Sequence, residues 1–204
     1  VVVCRIFILV KARVKLLMVS RNLVSASGDI LITDNDYDKV ASLLGRSPRG
    51  LRSIPVRSLS GEPVVIQVSS LVDNKPFPTL FWLVDRQLSY VIDQVEAGGL
   101  IAEFQAKIDE SEELQQAMAG DHKAHIGLRC ELMSLEEKQS IEKLGFETVF
   151  NRRGIGGIEN FTRIRCLHTY YASHLVSPNA VGKLLDSYWL ENDISFVHLP
   201  ASTC

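Results

Sequence analysis

The chain has 204 residues, 46% of them hydrophobic and 23% charged, with a formal net charge of −2 and a pI near 6.2. That length closes one substantial core but not two ordinary domains, and the composition excludes a disordered chain. The near-neutral charge removes the bulk attraction to polyanions on which nonspecific nucleic-acid binders rely.

From Val1 to Ser20 the sequence is apolar but broken by Arg5, Lys11, Arg13 and Lys15, so it is not a membrane span. It has no acidic residue before Gly28 and is read as a tail covering residues 1–32, either an organelle presequence or an over-extended start with Met18 as the first residue. A single domain is expected over 33–191 and a poorly specified tail over 192–204.

Asp34 to Asp36 offer caps for a helix carrying Tyr37, Val40, Leu43 and Leu44, which Gly45 ends. Ile54 and Val56, then Val64, Ile66 and Val68, alternate with period two around Gly61-Glu62-Pro63, which predicts a β-hairpin. Asp73-Asn74-Lys75-Pro76 is the next turn, and the apolar run Leu80 to Val84 is a third strand buried on both faces.

Helical spacing takes over from Asp85, with Leu88, Val91, Ile92 and Val95 before Gly98-Gly99 and Ile101, Phe104 and Ile108 after it. Asp109 with Glu112, and Ser134 with Glu137, have capping-box spacing. Asn160 is expected to cap a helix with the stripe Phe161, Ile164, His168, Tyr171 and Leu175; Pro178 ends it before Val181, Leu184, Leu185 and Tyr188 begin another. The expected fold is α+β, a small antiparallel sheet of about three strands packed by about five to seven helices.

Two clusters could carry chemistry. His122, His125 and Arg129 share one helix face, and Cys166 and His168 form a C-x-H pair; if the two helices meet, these groups supply N and S ligands of the kind zinc prefers. The alternative is a core histidine with a small buried cysteine. The stretch Arg153-Gly154-Ile155-Gly156-Gly157 runs toward a helix start, where backbone amides and dipole favour an anion, although it matches neither the dinucleotide fingerprint nor the P-loop. With Arg49, Arg129, Arg163 and Arg165 it could line one electropositive pocket, or these arginines could simply pair with acidic helices.

Three blocks together carry a family resemblance: Pro76-Phe77-Pro78-Thr79-Leu80-Phe81-Trp82-Leu83, then Asp121-His122-x-x-His125-x-x-x-Arg129, and Arg153-Gly154-Ile155-Gly156-Gly157 followed by Arg163-x-Arg165-Cys166-Leu167-His168. They resemble the domain of unknown function 501 family, whose bacterial members are sometimes labelled septum formation initiator-like, over about Asp36 to Trp189. The resemblance implies the basic segment Gly45-Arg46-Ser47-Pro48-Arg49-Gly50 and the Cys166-Leu167-His168 helix as shared positions, and it brings no activity. The family's first hairpin carries cysteines near a Cys-x-x-Gly turn, where this chain has Ser58-Leu59-Ser60-Gly61, which argues against a metal site there.

Three functions follow as expectations. The first is a binding or regulatory protein for a small phosphate- or carboxylate-bearing ligand, using Arg49, Arg129, Arg153, Gly154, Gly156, Gly157 and Arg165. The second is a metal-dependent or His-based hydrolase using His122, His125, Cys166 and His168, with zinc or another divalent metal. The third is a protein interaction module, which the family label connects to cell division. The four cysteines lack any C-x-x-C pair, so a reducing, cytoplasmic location is expected.

Overall fold

The alternating apolar residues build the sheet first. In the computed structural model, which describes residues 32–194, β1 (Leu51–Arg57) and β5 (Phe81–Leu83) flank β2 (Pro63–Val68), all antiparallel. Val65 lies opposite both Val56 and Leu83. Residues 1–31 and 195–204, with the expected presequence, most of the C-terminal tail, Cys4 and Cys204, lie outside the described residues.

Between β2 and β5, β3 (Leu71–Val72) and β4 (Lys75–Pro76) pair across Asp73-Asn74. Both turn residues have positive φ, 52° and 59°, which tight hairpin turns demand and which Asp and Asn tolerate.

Alternation sends the two sheet faces to different cores. Val65 and Phe81 join the larger cluster under the helices, whereas Ile54, Ile66 and Val68 join a smaller one with Val40 and Val84. Phe81 and Trp82 of β5 therefore serve opposite clusters, as expected for a strand covered on both faces.

Eight α-helices surround this sheet among the described residues, giving a single α+β domain. They are α1 (Asp34–Leu44), α2 (Arg86–Ala97), α3 (Leu100–Asp109), α4 (Glu112–Leu132), α5 (Leu135–Lys143), α6 (Glu147–Arg152), α7 (Leu167–Val176) and α8 (Ala180–Glu191), with a 3-10 turn at Ile155–Gly157. Among the described residues no helix is long and apolar enough to cross a membrane.

Several helix starts differ from the sequence expectation. The cap of α1 is Thr33, whose hydroxyl accepts from the Asp36 amide (3.1 Å) while the Asp36 carboxylate accepts from the Thr33 amide (3.2 Å). Asp109 ends α3 rather than capping α4; Ser111 does that, accepting from the Leu114 amide at 3.2 Å. Ser134 caps α5 as expected, accepting from the Glu137 amide, but the Glu137 carboxylate does not complete a capping box. Its Oε1 instead accepts from Ser69 Oγ (2.6 Å), Ser70 N (2.6 Å) and Leu71 N (3.1 Å), tying α5 to the end of β2. Glu137→Ala, which strands those donors, is expected to cost about 2–3 kcal/mol in urea unfolding; a loss below about 0.5 kcal/mol would show that water replaces the carboxylate.

The largest correction concerns Asn160, which does not cap a long helix. Its Oδ1 accepts from the amide and hydroxyl of Thr162 in a local turn. Gln105 of α3 then holds the chain open, with Oε1 accepting from Ile164 N (2.9 Å) and Nε2 donating to Thr162 O (2.9 Å). These bonds replace the helical ladder, so α7 starts only after Cys166, its N-cap.

Candidate functional site

Helix α4 projects His122, His125 and Arg129 from one buried face, as their spacing requires. The Ile155 amide donates to His122 Nδ1 (3.0 Å), so Nδ1 is the acceptor and Nε2 carries the proton. That Nε2–H donates to Tyr170 Oη (2.9 Å), and the Tyr170 hydroxyl donates to Arg163 O (3.2 Å). Phe161 stacks on the same imidazole, with ring centroids 4.6 Å apart. Both ring nitrogens are thus committed, and burial lowers the His122 pKa to about 4.

His125 meets Ser173 Oγ through Nδ1 at 3.2 Å, and its Nε2 is buried without a hydrogen-bond partner among the described residues. Burial, with the Arg129 charge and His122 as smaller causes, takes its pKa to about 3. The pairs His122–Tyr170 and His125–Ser173 rise in step along α4 and α7. The histidines of α4 therefore bridge to hydroxyls of α7, and not to Cys166 or His168.

Arg129 is consumed by the fold. It donates to Pro78 O (2.8 Å), Phe150 O and Arg153 O (2.5 Å), and only 1% of it is exposed. Arg49 sits elsewhere, exposed beside Asp73 at 2.8 Å on the β3–β4 hairpin. Neither joins an anion pocket with the others.

Of the expected pocket, Arg153, Gly157 and Arg165 do come together. With Ile158, Glu159, Asn160 and Arg163 they line a cleft of about 330 Å³. Arg153 contacts Glu159 (3.3 Å) and Arg163 contacts Asp109 (3.6 Å), both pairs exposed, and Arg165 is in no ion pair among the described residues. Gly154 has a different role: a Cβ there would stand 2.2 Å from His122 Nδ1, so the glycine admits the imidazole rather than an anion. Gly156 lines a neighbouring cleft of about 280 Å³ with Ile155, Ile158, Arg165, Cys166, Thr169 and Tyr170. Arg165 therefore borders both.

At the back of this second cleft Cys166 Sγ lies 3.6 Å from His168 Nδ1. On a regular helix residues i and i+2 diverge, but Cys166 is the extended N-cap (φ −159°, ψ 123°), which frees its side chain to turn toward His168. His168 Nε2 faces Ser89 O (3.2 Å) and Asp93 Oδ1 (3.3 Å) on α2, and its Nδ1 also faces Glu96 Oε1 at 3.4 Å. Burial alone would lower the His168 pKa, but the Cys166 contact, the Glu96 charge and the Ser89 carbonyl outweigh it and raise it to about 9. Glu96 Oε1 also accepts from the Leu167 amide at 2.5 Å, capping α7 from outside.

Sequence reasoning did not single out Glu96, Tyr170 or Ser173. A signal existed for the first: Ser89, Asp93 and Glu96 recur at i, i+4 and i+7 on α2, a polar stripe beside the apolar one.

The chain belongs to the family described as Protein of unknown function (DUF501), whose model matches residues 54–187. That match brings no link to septum formation. No curated protein and no solved structure is detectably similar to the chain.

Proposed function

We propose that the protein binds a small phosphate-bearing anion in the cleft between the 3-10 turn and the segment 158–165, with Arg153, Arg163 and Arg165 as its charged contacts. The observation that supports this is the meeting of three arginines, Arg153, Arg163 and Arg165, on one cleft of about 330 Å³ whose lining includes a single carboxylate residue, Glu159. Their ion pairs are exposed and worth only about 0–1 kcal/mol each, so an anion of higher charge displaces them at little cost. Guanidinium groups match phosphate oxygens bidentately, and three of them suit a phosphate better than a lone carboxylate.

Thermal unfolding of the full chain with inorganic phosphate and pyrophosphate, at fixed ionic strength, tests the reading. A ligand at about 100 times its Kd adds about 2.7 kcal/mol, or roughly 5–10 °C in Tm. Arg163→Ala/Arg165→Ala is expected to abolish that shift while changing the ligand-free Tm little, because both side chains are exposed. An equal shift in wild type and variant, or a shift with citrate but not with either phosphate, would remove the phosphate reading.

A further inference from the structure

Glu96, Cys166 and His168 come from two elements remote in sequence, yet one ligand atom from each, a carboxylate oxygen, the thiol sulfur and an imidazole nitrogen, all lie within 4.8 Å of one another. Among the described residues this is the one such group of three metal-ligating side chains. We propose that these three residues form a zinc site with its fourth position open to water or an anionic ligand.

The spacing carries the inference. Tetrahedral zinc holds nitrogen and oxygen at about 2.0–2.1 Å and sulfur at about 2.3 Å, which places N and S ligands about 3.5 Å apart and N and O ligands about 3.3 Å apart. The observed separations are 3.6 Å for Cys166 Sγ to His168 Nδ1 and 3.4 Å for His168 Nδ1 to Glu96 Oε1.

Orientation agrees with spacing. Ser89 O accepts from His168 Nε2, with the Asp93 carboxylate alongside, so when zinc displaces the Nδ1 proton the remaining proton stays on Nε2 and Nδ1 faces the sulfur and the carboxylate. A ligating histidine is commonly held in this way, by a carbonyl or carboxylate on its other nitrogen. Asp93 stands on the Nε2 side of the ring, so it is an orienting group and not a fourth ligand.

The donor set of one thiolate, one imidazole and one carboxylate selects zinc over magnesium or calcium, which take oxygen ligands. Three protein ligands with one open position are the pattern of a catalytic rather than a structural zinc. Cys166 also lines the second cleft, and Arg165 borders both clefts, so an anion held by that arginine stands next to the proposed metal.

The test uses the full chain expressed with added zinc, desalted and measured by plasma mass spectrometry. About one equivalent of zinc is expected, with Cys166→Ser, His168→Gln and Glu96→Gln each lowering affinity by about tenfold or more. Reconstitution of the wild type with cobalt(II) provides a readout that needs no variant: a thiolate-to-cobalt charge-transfer band in the near ultraviolet, absent in Cys166→Ser. Folded wild type that takes up neither zinc nor cobalt, or zinc retained in all three variants, overturns the proposal and leaves Glu96 as a helix cap paired to His168. Arg165→Ala keeps its zinc whether or not phosphate binds, so this inference and the anion reading fail separately.

Discussion

Arg129→Met is expected to destabilise the protein by about 3–5 kcal/mol, a large fraction of the stability of an ordinary domain. The guanidinium lies under the helices with 1% exposure, and its acceptors are carbonyls rather than a carboxylate. Two of them, Phe150 O and Arg153 O, lie at the C-terminal end of α6, where carbonyls lack helical partners and carry the negative end of the dipole. Pro78 O, the third, anchors the approach to β5. Burial lowers the Arg129 pKa only to about 10, so the side chain stays charged at neutral pH. Methionine keeps much of the volume but strands three carbonyls, that of Phe150 buried and those of Pro78 and Arg153 partly buried. Arg129→Lys is expected to recover less than about half of the loss, because one ammonium cannot reproduce a planar fork. Urea unfolding of both variants checks this, and a loss below about 1 kcal/mol would mean that water satisfies the carbonyls.

The role of Arg129 illustrates what sequence conveys and what it does not. Its buried position on the His122 and His125 face follows from helical spacing, because side-chain direction in a helix is a local property. Its partners are backbone carbonyls at positions 78, 150 and 153, and a carbonyl acceptor has no residue type. A buried arginine therefore looks like a ligand contact until the chain is folded. The strands were legible for the corresponding reason: apolar residues recur at every second position, Ile66 and Val68 serving one core and Val65 the other, and a register slip would exchange the two sets.

The segment from Asn160 to Cys166 reads as helix because Phe161, Ile164 and His168 keep helical spacing, yet Gln105 holds the chain open at Thr162 and Ile164. The same spacing conceals the geometry of Cys166 and His168, an i, i+2 pair that converges because Cys166 is an extended N-cap. Glu96, 71 residues from the Leu167 amide it caps, entered through tertiary packing alone. The arginine cleft was half legible: Arg153, Gly157 and Arg165 meet there, whereas Arg49 and Arg129 answer to Asp73 and to backbone carbonyls.

Stability is expected to fall by on the order of 4 kcal/mol between pH 7 and pH 5, driven by His122 and His125. Both imidazoles are buried and neutral, with pKa values lowered from 6.5 to about 4 and about 3. Unfolding releases them to bind protons below pH 6.5, so the unfolded state holds more protons and stability drops as the pH falls. At about 1.4 kcal/mol per pH unit for each group, the stretch from 6.5 to 5 removes about 2 kcal/mol per histidine. The surroundings offer no relief. His122 faces the Ile155 amide, the Tyr170 hydroxyl and the Phe161 ring, and a proton on Nδ1 would oppose the amide donor. His125 faces Ser173, Phe81 and the charge of Arg129. His168 does not add to this fall, since its pKa is raised: its stabilisation is complete below pH 6.5 and declines as the pH rises toward about 9, so between pH 7 and 6.5 it acts slightly in the opposite direction. Urea unfolding at pH 7, 6 and 5 measures the slope. His122→Asn, whose side-chain oxygen can still accept from Ile155 N, is expected to halve it. A slope unchanged in that variant, or stability flat from pH 7 to 5, would show that α4 opens to water before its imidazoles resist protonation.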